Sequence, residues 1–535
     1  MILPPQSSPI FTQITFSSDQ KEPPLLTDGT RLYFQSQGIP SEMAVTGGAI
    51  APMRILDPGM KMLDISADAS KVVALKPSLN DETGRGTLWE APILGGTPRK
   101  LSDHLAQVAR WSPDGRSIAF MDRQSLYLCD ADGTNERKIW EAPGYSYSLS
   151  FSPDGARLSV SIYSSNEVHL WTLKADGSDQ HPLQLDWPAK SNKWDGQWTP
   201  DGRHFIFLSD REGHANAYEL IPPPWYEFWK KPSAVRITGN EVEIEAAAPA
   251  RDSKSLFVLG RLQEGAMEVL DSEAKRFIPF LNGIAALQFT ISPDRQWMAY
   301  TEYPTMNLWK SKLDGTERVQ LTNSPAHWDQ WSPDGKWIAY MDYKKIYILS
   351  ADGGVPQPIP PSGADQFTPS WSHDGRSIYF CHIPYPGQPT KGIRILDLAT
   401  QKISLMPDSA GYYIPSWSPD GKYLVAIAQN PSRMVLYSAE TRQWKDIKQF
   451  DTPGGYWVWA SDSKSIYMAL TEGDVGIYQL TIPDGKWTKL SGMEGVTLGG
   501  LAPGAYPFLS LTADGRPALM SDTSVTQIYS LKWKN

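Results

Sequence analysis

A chain of 535 residues with 41% hydrophobic and 11% aromatic residues is too long for one ordinary core, which predicts at least two globular domains and excludes a disordered chain. The formal net charge of −9 is small for this length and no long basic run accompanies it, which argues against nucleic-acid binding by this chain. No window reaches the apolar length of a membrane span, and the first residues lack the regions of an export signal.

A ten-residue unit recurs along the chain and is clearest at residues 331–340, Trp-Ser-Pro-Asp-Gly-Lys-Trp-Ile-Ala-Tyr. Its first half is typical of a tight turn. Ser332 opens the turn, Pro333 fixes φ, and Gly335 can take the left-handed conformation of a bulged hairpin. Its second half is aromatic and β-branched, which is typical of a buried strand.

Twelve copies of this unit align on the turn aspartate, and successive aspartates lie 40 to 52 residues apart. That spacing is the period of a four-stranded propeller blade, roughly 40–50 residues. The aligned residues are Asp28, Asp68, Asp114, Asp154, Asp201, Asp252, Asp294, Asp334, Asp374, Asp420, Asp462 and Asp514. Four weaker copies lack the glycine, and there we expect strain or another turn geometry. They have Ala69, Ser253, Arg295 and Ser463 in its place.

A second glycine turn falls within most repeats, as at Asp132-Gly133 and Asp314-Gly315. Each repeat therefore predicts two strands joined by the aspartate turn, then a third strand, a glycine turn and a fourth strand. No long stretch has helical periodicity, so the predicted fold class is all-β. Cys129 and Cys381 lie at or beside apolar strand patterns, which predicts buried free thiols.

Known propellers have roughly 4–8 blades, so twelve repeats favour tandem β-propellers, most simply two six-bladed rings of four-stranded antiparallel blades. A division into five and seven blades stays open. We expect the first propeller to span residues 10–275 and the second residues 276–535. A lone first strand at 10–16 and a missing last strand indicate ring closure by strand exchange. Either 10–16 closes the first ring while 276–281 closes the second, or 10–16 reaches across to the last blade.

The motif Trp-Ser-Pro-Asp-Gly-(Arg/Lys)-x-Ile-Ala-(Phe/Tyr), followed by an apolar strand and Asp-Gly, resembles the PD40 (WD40-like) repeat of TolB-type propellers. The stretches 278–284, 307–322 and 393–400 resemble the C-terminal sensor-like half of bacterial regulators. Those regulators join a winged-helix DNA-binding domain, one transmembrane helix and a PD40 propeller region. This sequence has neither of the first two parts and is either a separate propeller region or a soluble relative. The resemblance implies a sensing or scaffolding role outside the cytoplasm, in the periplasm, although no signal peptide or anchor is seen.

The sequence offers no recognisable catalytic, metal-binding or cofactor-binding motif. The eight histidines show no paired metal-ligand spacing, and no Gly-x-Ser-x-Gly elbow of a hydrolase is found. We therefore predict no catalytic residue, no metal site and no cofactor. The turn aspartates are interpreted as structural, because all twelve repeats have one.

Function is expected where the repeats differ, and the segments that lead into the first strand of several repeats are unusually aromatic and polar. In a propeller these segments rim the central channel, the usual place for ligands. Tyr and Trp supply rigid contact area, and packing between blades is the other explanation for them. The candidate binding residues at this channel mouth are Trp194, Asp195, His327, Trp328, Asp329, Asp365, Phe367, Tyr412, Tyr413, Tyr456 and Trp457.

The sequence thus predicts a non-enzymatic binding protein that recognises a peptide, a glycan or a protein partner. The alternative is a propeller enzyme of the lyase, lactonase or cyclase type, using channel carboxylates and a bound metal. Asp195, Asp329 and Asp365 are the carboxylates available to it. A pure assembly scaffold is the third hypothesis.

Overall fold

The computed structural model consists of β-strands throughout the residues that it describes, which confirms the all-β prediction. These residues contain 48 strands in twelve four-stranded sheets. Within them no helix has the length and apolar character needed to cross a membrane. Cys129 and Cys381 are buried free thiols, as predicted. The described residues are 11–57, 59–78, 84–164, 167–187, 191–223, 231–239, 242–342, 344–382, 392–428, 432–450, 457–471, 473–498 and 508–532.

The Trp-Ser-Pro-Asp-Gly turn between the first two strands of a sheet is a small hydrogen-bonded unit. The Ser332 hydroxyl donates to the Asp334 carboxylate at 2.6 Å and accepts the Trp337 amide at 3.0 Å. Gly335 takes the left-handed conformation with φ +70°, and its amide donates to the Ser332 carbonyl at 2.9 Å. The side chain of the aspartate is thereby used for structure, as the sequence predicted.

Where the turn glycine is missing, a residue with a side chain adopts the same left-handed conformation. Such a residue strains the backbone by roughly 1 kcal/mol compared with glycine. The four weaker repeats therefore keep the turn geometry and accept the strain. The φ angles are +54° at Ala69, +56° at Ser253, +56° at Arg295 and +61° at Ser463.

Contacts divide the chain into two compact units, and unit 1 comprises Met1–Leu262 and Val525–Asn535. We call the first strand of each sheet its inner strand. In unit 1 the inner strands are β2 (Lys21–Thr27), β6 (Lys61–Ile65), β10 (Val108–Trp111), β14 (Tyr145–Phe151), β18 (Trp194–Trp198) and β22 (Glu243–Pro249). They contact one another in succession, and β22 also contacts β2. Six of the described sheets lie in unit 1. From the inner strand outward they are β2 (Lys21–Thr27), β3 (Arg31–Ser36), β4 (Ile39–Ala44) and β5 (Ala51–Pro52); β6 (Lys61–Ile65), β7 (Lys71–Pro77), β8 (Gly86–Pro92) and β9 (Arg99–Ala106); β10 (Val108–Trp111), β11 (Ser117–Asp122), β12 (Ser125–Asp130) and β13 (Arg137–Glu141); β14 (Tyr145–Phe151), β15 (Arg157–Ser164), β16 (Glu167–Lys174) and β17 (His181–Pro182); β18 (Trp194–Trp198), β19 (Phe205–Ser209), β20 (Asn216–Ile221) and β21 (Ser233–Arg236); and β22 (Glu243–Pro249), β23 (Ser255–Leu262), β48 (Val525–Lys532) and β1 (Phe11–Gln13).

Unit 2 comprises Gln263–Ser524 and holds the other six described sheets. From the inner strand outward they are β26 (Ala286–Ile291), β27 (Trp297–Glu302), β28 (Asn307–Lys312) and β29 (Val319–Pro325); β30 (His327–Trp331), β31 (Trp337–Met341), β32 (Ile346–Ser350) and β33 (Gln357–Pro358); β34 (Gln366–Trp371), β35 (Ser377–His382), β36 (Arg394–Asp397) and β37 (Ile403–Leu405); β38 (Tyr412–Trp417), β39 (Tyr423–Ala428), β40 (Arg433–Ser438) and β41 (Gln443–Gln449); β42 (Trp457–Trp459), β43 (Ser465–Leu470), β44 (Gly476–Thr481) and β45 (Trp487–Ser491); and β46 (Ser510–Leu511), β47 (Pro517–Asp522), β24 (Gly265–Asp271) and β25 (Arg276–Pro279).

The last sheet of each unit exchanges its third strand, and this moves the domain boundary. The sequence predicted domains at 10–275 and 276–535, whereas the chain enters unit 2 at Gln263 and returns to unit 1 at Val525. The reason is that β23 pairs with β48 near the end of the chain, while β24 pairs with β47. The N-terminal strand β1 pairs with β48, so the predicted strand 10–16 joins the last strand of the chain inside unit 1.

The core of each unit lies between neighbouring sheets, and the second strand of each sheet is buried on both faces. Residues Ile338–Met341 of β31 are at most 3% exposed. Ile338 packs in one cluster with Leu308 of the preceding sheet, whereas Ala339 packs in another cluster with Ile378 of the following sheet. Burial on both faces accounts for the unbroken apolar runs that follow the turns.

Candidate functional site

The inner strands of unit 2 enclose a cavity of about 570 Å³, within the range of roughly 300–1,000 Å³ typical of ligand pockets. All six inner strands of this unit contribute described residues to its wall, from β26 to β46. Trp328, Trp457 and Phe508 lie at the end where their inner strands begin. The Ser-Pro-Asp-Gly turns lie at the other end, and we call these the aromatic end and the turn end.

Three successive inner strands carry a β-bulge at the aromatic end. The bulge residues Trp328, Thr368 and Ile414 have φ of +57°, +51° and +53°, and each lies at a shift in the pairing of its strand. All three line the cavity. A left-handed conformation is costly for a β-branched residue, and a bulge re-aims the side chain and backbone of its strand. The backbone strain of these strands is therefore concentrated in the cavity wall.

The indole of Trp328 is held between two phenylalanines. Its ring meets Phe367 edge-on at a centroid distance of 5.8 Å and Phe508 edge-on at 5.5 Å. Its backbone amide donates to the Gln288 side-chain oxygen at 3.3 Å. Edge-to-face contacts of this kind fix a ring in one orientation. The aromatic end thus presents a positioned indole, with Trp457 on the wall of the same cavity.

Asp329 is 1% exposed and ties two inner strands together. The Gln288 amide donates to one carboxylate oxygen at 2.7 Å, and the Thr290 hydroxyl donates to the other at 2.7 Å. Burial raises the pKa of Asp329 to about 6, although these hydrogen bonds oppose the rise. Both oxygens of the carboxylate are therefore engaged by the neighbouring strand β26.

The tryptophan of the recurring motif fastens one sheet to the next. In three sheets of unit 2 its indole N–H donates to a carbonyl of the preceding inner strand. This bond satisfies a backbone oxygen at the free edge of that strand, so the tryptophan is a structural residue. The pairs are Trp331 to Thr290 O (3.2 Å), Trp371 to Gln330 O (3.2 Å) and Trp459 to Ser416 O (3.1 Å).

Serine side chains engage backbone amides at the same free edges. The Ser510 hydroxyl accepts the Phe289 amide at 2.8 Å, and the Ser370 hydroxyl accepts the Trp417 amide at 3.0 Å. A hydroxyl that accepts an N–H still has its own proton to donate. These two serines are each 2% exposed and support the neighbouring strand from within the cavity wall.

The turn end is crossed by hydrogen bonds between turns. The Arg295 guanidinium donates to the Ser461 hydroxyl at 3.1 Å, and His373 Nδ1 donates to the Pro419 carbonyl at 2.6 Å. Arg295 and His373 thus each bond to a neighbouring turn at this end of the cavity.

The structure brings three of the predicted binding residues to the cavity wall, namely Trp328, Asp329 and Trp457. Phe367 supports Trp328 from the neighbouring strand. Tyr456 lies outside the described residues. Whether these residues bind a ligand stays a prediction.

Four further predicted residues lie in unit 2 but do not line this cavity. His327 begins β30, and burial lowers its pKa. Asp365 directly precedes β34 and is half-buried. Tyr412 packs against Trp444 with ring centroids 4.7 Å apart, and Tyr413 packs against the core between β39 and β43. The two tyrosines therefore fit the packing explanation that the sequence left open.

The last two predicted residues, Trp194 and Asp195, lie on β18 of unit 1. Asp195 occupies a bulge with φ +50°, and its carboxylate accepts the Gln197 side-chain amide at 3.2 Å. Burial raises the pKa of Asp195 and of Asp64 on β6, while the positive charge of Arg110 on β10 opposes both shifts. Inner strands of unit 1 thus carry a charged group of two aspartates and one arginine, of which the sequence analysis identified only Asp195.

Sequence reasoning missed Phe508, Thr368 and Ile414, which line the cavity. A usable signal was present, because each lies six residues before the turn aspartate of its repeat, as Trp328 and Gln288 do. A second set of wall residues lies four before it, including Thr290 and Gln330. The other wall residues at that second offset are Ser370, Ser416, Val458 and Ser510.

Across the described ranges, no group of three or more His, Cys, Asp or Glu side chains is arranged to hold a metal ion.

Comparison with known proteins supports the identification of the repeats. Residues 99–224 match the family model of the TolB beta propeller domain, PD40. A 105-residue stretch is 30% identical to an uncharacterized peptidase, YuxL, of Bacillus subtilis. That match covers 18% of this chain and 16% of the length of the relative.

Three solved structures are similar at low identity. A TolB-type protein of Agrobacterium tumefaciens is 16% identical with a TM-score of 0.37, and the match covers 49% of this chain and 98% of the Agrobacterium chain. The tricorn protease is 11% identical with a TM-score of 0.34, and the match covers 96% of this chain and 53% of the protease chain. A GH74 enzyme of Niastella koreensis is 9% identical with a TM-score of 0.39, and the match covers 97% of this chain and 99% of the enzyme chain. We draw no functional conclusion from these three. Residues 99–224 match the model of the TolB beta propeller domain, PD40, as the repeat motif predicted for this part of the chain.

Proposed function

We propose that this chain is a non-enzymatic binding protein and that its ligand occupies the cavity of unit 2. The observation that carries the proposal is a cavity of about 570 Å³ with Trp328, Trp457 and Phe508 at one end. Aromatic side chains that are held in place supply a large contact area at low entropic cost, which is how binding hot spots are composed. Backbone strain at the bulges of the same wall supports this choice of site, since strained segments cluster at functional sites.

The contacts of the carboxylates favour binding over the enzyme alternative. Asp329 accepts hydrogen bonds at both oxygens from β26, so it is poorly placed to act as a base or a metal ligand. Asp365 does not line the cavity that Asp329 lines. Asp195 belongs to unit 1. The three carboxylates named for that alternative therefore do not form one site within unit 2.

The resemblance to the sensor region of membrane-anchored regulators gives the proposal its context. In that setting the chain serves outside the cytoplasm as the part that detects a ligand or holds a protein partner.

The test is a thermal-shift screen of the purified chain against peptides, oligosaccharides and metal ions. A ligand that binds only the folded state at 100 times its Kd stabilises it by about 2.7 kcal/mol. For a unit of this size the midpoint of unfolding then rises by roughly 5–10 °C. We expect W457A to weaken the binding by about 2 kcal/mol, or roughly 30-fold in Kd.

Trp337 provides the matched control, because it lies on β31 of the same unit, is 44% exposed and does not line the cavity. W337A is expected to bind as tightly as the unaltered protein. Equal affinities of W457A and the unaltered protein for every ligand found would contradict the proposed site.

A further inference from the structure

The cavity wall of unit 2 offers little charge to a ligand. Among the described residues that line it, Asp329 is the sole carboxylate, and both of its oxygens are bound by β26. The positive charge on the wall is that of Arg295, which lies at the turn end and bonds to a neighbouring turn there. A charged ligand among the rings of the aromatic end would lose its hydration without gaining an opposite charge there, which is costly.

The wall is also poorly suited to an extended peptide. A peptide binds a sheet edge by pairing with its free N–H and C=O groups. Along these inner strands several of those groups are already taken by side chains. The Phe289 and Trp417 amides donate to serine hydroxyls, and the carbonyls of Thr290, Gln330 and Ser416 accept indole N–H groups.

What the wall does present is a combination of aromatic rings and small hydrogen-bonding side chains. Trp328 is fixed by its two phenylalanine neighbours, and Trp457 lies on the same wall. The half-buried Gln330 offers an amide that can donate and accept, and the half-buried Ser416 offers a hydroxyl. A ligand that fits needs an apolar face for the rings and neutral hydroxyl or amide groups around its edge.

We propose that the ligand is an uncharged oligosaccharide. Sugar rings have C–H faces that pack on aromatic rings, and their hydroxyl groups both donate and accept hydrogen bonds at the edge. The inference rests on the proposed function, because it assigns a chemical class to the ligand of the same cavity.

The experiment measures Kd by calorimetry for pairs of saccharides with the same sugar backbone, one neutral and one charged. N-acetylchitopentaose is compared with its deacetylated, cationic form, and the methyl ester of pentagalacturonate with the free anion. Cellopentaose, maltopentaose and xylopentaose extend the neutral set. We expect at least one neutral saccharide to bind, its charged counterpart where one exists to bind at least tenfold more weakly, W457A to reduce the affinity at least tenfold, and W337A to leave it unchanged.

Two results would overturn the inference, and they differ in what they say about the binding site. If a charged saccharide or a peptide of the screen binds in a manner that depends on Trp457 and no neutral saccharide does, the ligand class is wrong while the proposed site stands. If no compound of any class gives a response that depends on Trp457, the ligand class and the proposed function both fail.

Discussion

The inner strands of the two units share their turns but differ in charge. Four residues before the turn aspartate, unit 1 carries Asp64 and Arg110 in successive repeats. At that offset the wall residues of unit 2 are a valine and small uncharged polar residues. Six residues before the aspartate, a bulge with φ near +50° holds Asp195 in unit 1 and Trp328 in unit 2. The turn is the same in both units, and these two positions set the chemical character of each set of inner strands.

The largest expected effect is the loss of the unfolding transition of unit 1 while that of unit 2 is kept. Deletion of residues 525–535 removes β48, which is the partner of both β23 and β1. Unit 1 then lacks the third strand of its closing sheet and loses its cooperative unfolding transition. Unit 2 is one continuous segment, Gln263–Ser524, and should keep its own transition. Calorimetry of the truncated chain measures this, and two retained transitions would contradict the exchange.

The next effect concerns the buried carboxylate of unit 2. The pKa of Asp329 is about 6 when folded, against 3.8 as its ordinary value, so the folded state holds the proton more tightly. The free energy of unfolding of unit 2 should therefore fall by about 3 kcal/mol as the pH rises from about 4 to above 6. D329N should lack this fall, and chemical denaturation at a series of pH values measures it.

Identical pH profiles for D329N and the unaltered protein would show that Asp329 is not the titrating group. D64N makes the same test on the buried carboxylate of unit 1. Burial raises the pKa of Asp64 as well, and the positive charge of Arg110 opposes that rise.

A smaller effect is expected from the motif tryptophan. W331F removes the indole bond to the Thr290 carbonyl and should cost unit 2 about 1 kcal/mol through that bond. Trp198 occupies the same motif position in unit 1 and packs against Phe205 at 4.7 Å. W198F therefore controls for the change in ring size. Equal losses in both variants would assign the effect to packing and not to the hydrogen bond.

The smallest effect tests the strain in a turn without glycine. Ala69 has φ +54°, so A69G should stabilise unit 1 by about 0.5–1 kcal/mol. Ala67 lies two residues earlier in the same turn and is exposed, and A67G should give no such gain. A stability loss in A69G, measured by urea denaturation, would contradict the assignment of strain.

The sequence predicted the sheets well because their determinants are local. The turn from Ser332 to Gly335 is set by its own side chains, and each repeat carries its own copy. The sequence indicated a strand exchange at ring closure, but not that β23 pairs with β48 and β24 with β47, because these pairings join segments far apart in the chain. Trp328 and Trp457 were found by their aromatic character. Phe508 was missed although it shares the offset of Trp328 from the turn aspartate, because its contact with Trp328 joins two repeats far apart in the chain.

Hydrogen–deuterium exchange of the whole chain, with and without the saccharide or peptide that gives the largest thermal shift, tests the central claim most directly. The proposed site predicts slower exchange at residues 327–331, 457–459 and 508–511 of unit 2, with β6, β10 and β18 of unit 1 unchanged. Protection confined to the inner strands of unit 1, or to the outer strands of unit 2, would contradict it.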